Sequence, residues 1–416
     1  MLFLVVIFLT SSCLTAQSQS TQPLRIAHIS DMHYLSSSLV DDGEAYQNFV
    51  RSSGRNIVYM HQVLHDVLTD LKNENIDILL ITGDMVQHGE RQSHIDLISR
   101  LRPIQAQGTR IFVVPGNHDV NVPTARAFIG NTPTLVPSVS AEEFALLYAD
   151  FGFAQAAQRD SHSLSYLAKL TDDVWLLALD TSRHAEFTTQ SYSNGRLLPE
   201  TLAWALDILE TAKREDIIVF GMMHHNLLEH LPLQALFFPD RTVDQWQRIT
   251  EQFADLGLRV VFTGHAHNHS VARSISFAGN TIYEIQTGSL AQYPFSYRIM
   301  ELHDGELTIE SRFITSIPQH PNLAATYRQS SEEFARRTIQ NRLRALGFPM
   351  PELVQNILVN IAVEMKMQAM GGEGLMDDSM IRTIQRLSNL LGSEMDMEEM
   401  AREISPNNNN LVIEVR

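Results

Sequence analysis

The chain has 416 residues, of which 44% are hydrophobic and 19% charged. This composition is typical of globular proteins and excludes the disordered and collagen-like classes. The formal net charge of −17 excludes the broad basic surface that electrostatic binding of nucleic acid needs, whereas a phosphate-bearing small molecule is compatible with it, because bound metal can supply local positive charge.

The first 20 residues predict export from a bacterial cell. Leu2 to Leu9 form an apolar run that is too short to span a bilayer but has the length of a signal-peptide core. Small residues and Cys13 follow, a pattern that resembles a lipoprotein signal. Because Cys13 is the sole cysteine, no intramolecular disulfide can form. We expect a periplasmic or membrane-anchored lipoprotein tethered through Cys13; cleavage after Ala16 and a misassigned start codon are the alternatives.

Strands and helices alternate in the N-terminal part of the chain. The runs at 24–30, 76–82 and 110–115 are rich in Ile, Leu and Val, and apolar residues recur at helical spacing over 55–73 and 91–107. Strands of this composition are buried on both faces of a sheet that helices cover.

The alternation continues and then changes character. Further strands are predicted at 174–180, 216–223 and 258–264, with helices at 199–213 and 242–257. Short β runs over 272–313, separated by turns, predict an antiparallel set. Beyond 316, helices are predicted at 331–346, 351–369, 377–393 and 396–404, and LVIEV at 411–415 suits a final strand. We therefore expect a mixed α/β domain over 21–315 and a mainly helical extension over 316–416.

Five of these strands are followed at once by side chains that bind metals. They are Asp31 and His33; Asp84; Asn117, His118 and Asp119; His224 and His225; His265 and His267. Ligands of open α/β sheets gather at the carboxyl ends of strands. Carboxylate, amide and imidazole groups together suit Zn, Mn or Fe. Each motif is weak alone, but five in this order are hard to explain as ordinary turns.

The series D-x-H, GD, GNHD, H and GHxH resembles the calcineurin-like metallophosphoesterase superfamily over residues 24–270. In detail it is similar to bacterial members related to cyclic-nucleotide phosphodiesterases. The resemblance implies a four-layer α/β/β/α sandwich of two mixed β-sheets, a catalytic domain over 21–315 and two divalent or trivalent metal ions (Mn, Fe or Zn).

The resemblance also implies a role for each residue. The first metal would bind Asp31, His33, Asp84 and His267. The second would bind Asp84, Asn117, His224 and His265. His118 would assist the leaving oxygen, and Asp119 would orient the His118 ring. His225 is the alternative to His224, and Gln87 stands where many members carry a second Asp.

Such a centre hydrolyses phosphoric esters. Two cations about 3.5–4 Å apart clamp the attacking and leaving oxygens and lower the pKa of a water, so that hydroxide attacks phosphorus in line. An acid such as His118 helps most when the leaving group is an alkoxide, which favours phosphodiesters over monoesters. Two alternatives stay open: a non-catalytic metal-binding surface lipoprotein that docks a partner, and a pyrophosphate or phospholipid headgroup hydrolase.

The other histidines have simpler interpretations. His61 and His65 predict an exposed helix face, His28 a packed strand residue, and His88 and His94 surface groups, with His88 also able to line the pocket. His269 falls outside the metal motif. The Met-rich C-terminal helices predict a lid or docking domain packed on the sandwich.

Overall fold

The computed structural model describes residues 22–231, 234, 238–345, 351–373, 382, 385–386 and 409–416. The predicted signal segment with Cys13 and Ala16 lies outside these residues, as do most of the predicted helices at 377–393 and 396–404. No helix within the described ranges is long and apolar enough to cross a membrane.

The first large sheet has six strands in the order β15-β14-β13-β1-β2-β3. These are β1 (Leu24–Ile29), β2 (Ile78–Ile81), β3 (Arg110–Val113), β13 (Ser296–His303), β14 (Glu306–Phe313) and β15 (Asn410–Glu414). β1, β2 and β3 are parallel, with Ile29 opposite Ile81 and Ile81 opposite Val113. This register brings the carboxyl ends of the three strands to one edge, where the predicted ligands follow.

The second sheet has seven strands in the order β11-β12-β10-β9-β8-β7-β6. They are β6 (Gln158–Arg159), β7 (Tyr166–Lys169), β8 (Val174–Leu179), β9 (Ile218–Met223), β10 (Val260–Thr263), β11 (Ser270–Ile275) and β12 (Thr281–Gln286). β8, β9, β10 and β12 are parallel, and β6, β7 and β11 run antiparallel to their neighbours. A small third sheet pairs β4 (Arg126–Ala127) with β5 (Thr134–Leu135).

Eight α-helices are assigned within the described residues. They are α1 (Glu44–Ser53), α2 (Met60–Asn73), α3 (Arg91–Gln105), α4 (Ala141–Leu147), α5 (Pro199–Arg214), α6 (Trp246–Asp255), α7 (Leu323–Ala345) and α8 (Glu352–Gly371). The helical spacing of the sequence predicts that α2 begins at 55 and that α6 spans 242–257. It does not predict α1 or α4. α2 begins late because the Asn56 side chain accepts the Tyr59 amide at 2.9 Å and holds a turn there.

Alternation along β8 shows how the layers stack. Leu177 and Leu179 point outward and share a buried cluster with residues of α5 and α6. Leu176 and Ala178 point inward and share the main core with residues of the first sheet, and that core continues into α2 and α3. Each fully buried leucine side chain contributes roughly 1.5–3 kcal/mol to the stability of the fold. The predicted α/β/β/α sandwich of two mixed sheets is confirmed.

The C-terminal part adds a helical pair and one strand. α7 and α8 pack together through Ile339, Leu343, Val359 and Val363, in a cluster that also contains Phe238 of the sandwich. β15 then returns to the first sheet as an antiparallel edge strand on β14. The extension is therefore attached both to the face that carries the predicted ligands and to the sheet edge.

Candidate metal centre

Five predicted ligands sit at tight turns directly after their strands. Asp31, His33, Asp84, His265 and His267 all have positive φ, between 43° and 67°. Asp and His tolerate this left-handed region better than most residues, but it still costs energy and is typical of functional sites. The turns aim the side chains into one space between the carboxyl ends of the two sheets.

Two glycines permit this close approach. A Cβ on Gly116 would lie 2.2 Å from Asp84 Oδ1, and a Cβ on Gly264 would lie 2.0 Å from Ser30 Oγ and 2.4 Å from Asp31 Oδ2. Any side chain at either position would displace a carboxylate of the site. Packing against these side chains therefore requires the glycines of the GNHD and GHxH motifs.

One group of ligand atoms surrounds His33. Its Nε2 lies 3.2 Å from His267 Nε2 and 3.7 Å from Asp84 Oδ2, and His267 Nε2 lies 3.1 Å from Asp31 Oδ1. Donors around an ion with bonds of about 2.1 Å stand roughly 3–3.5 Å apart. These four side chains therefore have the spacing of a first metal site.

A second group surrounds His224. Its Nε2 lies 3.4 Å from Asp84 Oδ1, 3.3 Å from Asn117 Oδ1 and 3.2 Å from His265 Nδ1. The two oxygens of Asp84 face different groups, Oδ1 toward this one and Oδ2 toward His33. Asp84 is placed to bridge two ions.

Asp31 provides a test of whether metal fits the first group. Its Oδ2 accepts from Ser30 Oγ at 2.6 Å and from the His265 amide at 2.9 Å. Its Oδ1 is buried and has no hydrogen-bond partner among the described residues. A buried carboxylate oxygen without a partner is costly, and two imidazole nitrogens stand nearby. A metal ion would satisfy this oxygen, so the donor set fits the predicted centre.

Hydrogen bonds behind the ligands select which ring nitrogen faces the site. His224 Nδ1 donates to Thr82 O at 2.7 Å, and His267 Nδ1 lies 2.6 Å from Gln292 Oε1. Both leave Nε2 free for a metal, which is how ligating histidines are usually oriented. Gln292 was not predicted, because no strand-end motif marks it.

The electrostatics of the site centre on Asp84 and His224. Burial would raise the pKa of Asp84, but the imidazoles of His224 and His118 hold it well below its usual range. Burial would lower the pKa of His224, but Asp84 outweighs that effect and raises it to about 9. Burial lowers the pKa of His33 and His265 well below the ordinary value. A metal ion would replace the proton on His224, so binding would release protons.

The geometry distinguishes the two histidines of the HH doublet. His224 Nε2 is beside both Asp84 and Asn117. His225 instead points its Nδ1 at Thr181 Oγ1, 2.8 Å away, and its ring lies tilted at 54° with its centroid 4.4 Å from that of His265. His225 can join a cluster with His224 and His265, but the bridging carboxylate is adjacent to His224. The structure therefore favours His224 as the ligand.

His118 and Asp119 have separate surroundings. His118 Nδ1 donates to Gln87 O at 2.7 Å, and its backbone amide donates to Asp84 Oδ1 at 2.8 Å. Asp119 does not orient this ring: its two oxygens accept the amides of Val86 at 3.1 Å and Gly116 at 2.7 Å. The expected orienting role is corrected, because a buried carboxylate beside two backbone donors is already satisfied. Gln87 O takes that role.

Burial dominates the titration of this pair. It lowers the pKa of His118 to about 4, against the opposing effect of Asp84. It raises the pKa of Asp119 to about 7, and the Asp84 charge adds to that effect. His118 is therefore neutral at pH 7 in the free protein, with the proton on Nδ1.

Two histidines differ from their predicted surface positions. His94 is fully buried, with Nδ1 2.8 Å from the Tyr148 hydroxyl and Nε2 donating to Asp119 O at 3.0 Å. The expectation of a surface group was wrong, because His94 lies on the face of α3 that packs inward. His61 is half-buried and its Nε2 donates to Leu35 O at 2.8 Å.

Two further histidines belong to buried polar contacts. His28 lies between Thr82 Oγ1 and Thr287 Oγ1, at 2.9 and 2.7 Å. His269 Nε2 lies 2.7 Å from Ser311 Oγ, away from both groups of ligand atoms. Hydrogen-bonded histidines between two sheets satisfy their ring nitrogens without metal.

The site opens into a cavity of about 190 Å³. Its wall includes Arg55, Arg241 and Lys366, none of which the sequence pattern predicted. Arg55 fell inside a predicted helix, and Lys366 lies on α8, about 100 residues after the last metal motif. Only Arg241, which precedes α6, was near a motif, and nothing in its surroundings marked it.

The family comparison covers the part of the chain that carries all seven predicted metal ligands. A protein-family model described as calcineurin-like phosphoesterase matches residues 24–269. A probable cyclic nucleotide phosphodiesterase from Vesicomyosocius okutanii is 39% identical over 62 residues, which is 15% of this chain. The match spans 25% of that relative, so the chain aligns with about a quarter of its length.

Two solved structures have low sequence identity to this chain. A dimetal phosphatase from Danio rerio is 14% identical, with 70% of this chain and 97% of that chain covered and a TM-score of 0.48. A purple acid phosphatase from yellow lupin (Lupinus luteus) seeds is 15% identical, with 70% and 52% covered and a TM-score of 0.42.

Proposed function

The chain belongs to the calcineurin-like phosphoesterase family, and on this basis we propose that it is a dinuclear metal-dependent hydrolase of phosphoric esters that prefers phosphodiesters to monoesters. The observation that carries the proposal is the position of Asp84, whose two oxygens face two separate groups of ligand atoms. A purely structural metal site is closed by its protein ligands and needs neither a second group of ligands nor a neighbouring cavity.

The candidate ligands form two sets that share Asp84. Asp31, His33 and His267 would hold one ion, Asn117, His224 and His265 would hold the other, and Asp84 would belong to both sets. When bound, the pair supplies Lewis acidity and a nucleophile at neutral pH. Asn117 contributes a neutral oxygen, so the site keeps a positive charge toward an anionic ester.

His118 is positioned to assist the leaving oxygen. Its Nδ1–H is held by Gln87 O, so the ring is fixed and Nε2 is the remaining nitrogen on the cavity wall. Donation from Nε2 requires the doubly protonated ring, which the negative charge of an incoming phosphate favours. The benefit is greatest for an alkoxide leaving group, which alkyl monoesters and diesters share. The preference for phosphodiesters is supported by the similarity to a probable cyclic nucleotide phosphodiesterase.

Substrate comparison together with metal analysis tests this proposal. We expect about two metal ions per chain and faster hydrolysis of bis(p-nitrophenyl) phosphate than of p-nitrophenyl phosphate, with cyclic AMP as a third substrate. Chelation should abolish turnover, and added metal should restore it. A metal-loaded protein that is inactive on all three substrates would support a non-catalytic role instead. Faster monoester hydrolysis would contradict the diester preference.

A further inference from the structure

The end of α8 is hydrogen-bonded to the loop that carries two metal-binding histidines. Lys366 Nζ donates to Ala266 O and to Asn268 Oδ1, both at 2.6 Å. One turn further along α8, Ala369 O accepts from the His269 amide at 2.7 Å. Ala266 separates the two ligands of this loop. α8 therefore places a primary ammonium directly beside the metal centre.

The cavity has the opposite charge to the rest of the molecule. The chain carries a formal net charge of −17. Yet the described residues that line the cavity include three cations, Arg55, Arg241 and Lys366, and one acid, Asp84. Because Asp84 is placed to bind metal, it is not available to neutralise those cations. Positive charge concentrated in a cleft attracts and holds anions.

Lys366 has neutral partners. Both acceptors are amide oxygens, and none of the described carboxylates forms an ion pair with its Nζ. An ammonium has three donors, so one N–H is left for a ligand. Burial, with a smaller contribution from Arg241, lowers the pKa of Lys366 to about 7. A buried cation without an anion is costly, and an anionic ligand would remove that cost.

Arg55 also lines this cavity. In the amide orientation that satisfies both ends of Gln87, the Gln87 oxygen accepts from Arg55 Nη1 at 2.8 Å. The carboxylates that favour the charged form of Arg55 are Asp84 and Asp31, and both belong to the metal centre. Two cations of the cavity wall, Lys366 and Arg55, thus lack a carboxylate outside the metal centre.

We propose that Lys366, together with Arg55 and Arg241, binds a second anionic group of the substrate, beyond the phosphoryl group that reacts at the metal centre. The substrate class is a phosphate ester that carries a further carboxylate or phosphate. This inference rests on the proposed function and narrows it, because a simple diester has one negative charge and leaves Lys366 and Arg55 without an anion, whereas Arg241 already has Asp240 at 4.0 Å. α7 and α8 then supply part of the substrate site, and Lys366 is a specificity-determining residue.

Binding of non-hydrolysable phosphonates tests this assignment without turnover. Calorimetry on the metal-loaded protein would compare ω-carboxyalkyl phosphonates of increasing chain length, each with the alkylphosphonate of equal length. An alkane diphosphonate series would separate a carboxylate from a phosphate preference. Wild type should bind the acid-bearing ligand more tightly. Lys366→Met should reduce that advantage by about tenfold or more, since a charged hydrogen bond is lost.

Two more variants make the result specific. Arg336→Met is the matched control, because Arg336 lies on α7, bonds Asn360 of α8 and is outside the cavity wall. It should retain the advantage. Arg55→Met is an independent variant that removes another cation of the same cavity wall, and it should lose the advantage as Lys366→Met does.

The outcomes separate this inference from the proposed function. If wild type bound the ω-carboxyalkyl phosphonates no more tightly than the alkylphosphonates of equal length, the inference would be overturned. Equal weakening of both kinds of ligand in Lys366→Met would also overturn it. Turnover of bis(p-nitrophenyl) phosphate would be measured on the same sample. A turnover-competent protein without acid preference would overturn the second anion site alone. A metal-loaded protein that prefers the acid ligands but hydrolyses no ester would overturn the hydrolase proposal.

Discussion

Asp84→Asn removes one negative charge from the point where the two groups of ligands meet, while keeping the size of the side chain. Asp84 is 2% exposed, and its oxygens lie 3.4 and 3.7 Å from the imidazole nitrogens of the two groups. Unit charges about 4 Å apart interact by about 4 kcal/mol at an effective dielectric constant near 20. That energy corresponds to roughly 1000-fold weaker affinity for each ion.

Thermal unfolding in metal-buffered solution converts this loss into a measurable difference. At a free metal concentration of about 1000 times Kd, wild type gains about 4 kcal/mol of stability from each ion. The variant, at the same concentration and with a Kd about 1000 times higher, should gain roughly 0.4 kcal/mol. Metal content after dialysis and turnover of bis(p-nitrophenyl) phosphate would be measured on the same samples, and both should fall.

An exposed aspartate on α5 provides the control for Asp84→Asn. Asp207→Asn, at an exposed position on α5, makes the same chemical change far from the site and should leave metal content and turnover unchanged. If Asp84→Asn retained two metals and wild-type turnover, Asp84 would not be the bridging ligand, and the assignment of both metal groups would be refuted.

Three further outcomes follow from the geometry. His118→Gln should keep both metals but lower kcat by about 10²- to 10⁴-fold, and unimpaired turnover would remove His118 from the mechanism. His224→Ala should lose metal while His225→Ala keeps it, because His224 Nε2 is beside Asp84 and His225 Nδ1 faces Thr181; metal analysis giving the reverse order would identify His225 as the ligand. Burial raises the pKa of Glu90 from 4.5 to about 7, so the folded state binds a proton that the unfolded state lacks, and stability should fall as pH rises through this window. At about 1.4 kcal/mol per pH unit the contribution of Glu90 is roughly 3 kcal/mol, and urea unfolding at pH 5 and pH 8 should show a fall in stability that is smaller by about this amount in Glu90→Gln than in wild type.

Much of the architecture could be predicted from local patterns in the sequence. A strand that is buried on both faces of a sheet is rich in apolar residues, and this composition predicts β1, β2, β3, β9 and β10. The polar residues that follow them were readable because a strand end is a local feature of the chain. The helical spacing of α5 and α8 was equally local. Boundaries were less certain where one side chain decided them, as Asn56 does at the start of α2.

The sequence by itself determined which residue types stand after which strands, and therefore the chemistry of the donor set. Tertiary structure decided how those donors are shared: the register of β1, β2 and β3 and the positive φ at Asp84 turn its two oxygens toward different groups. It also decided that His224 faces the centre, that Gln87 rather than Asp119 holds His118, and that α8 brings Lys366 to the GHxH loop. These relations join residues up to hundreds of positions apart. Periodicity and composition report burial along one segment, whereas the distance between two segments depends on sheet register, turn geometry and packing.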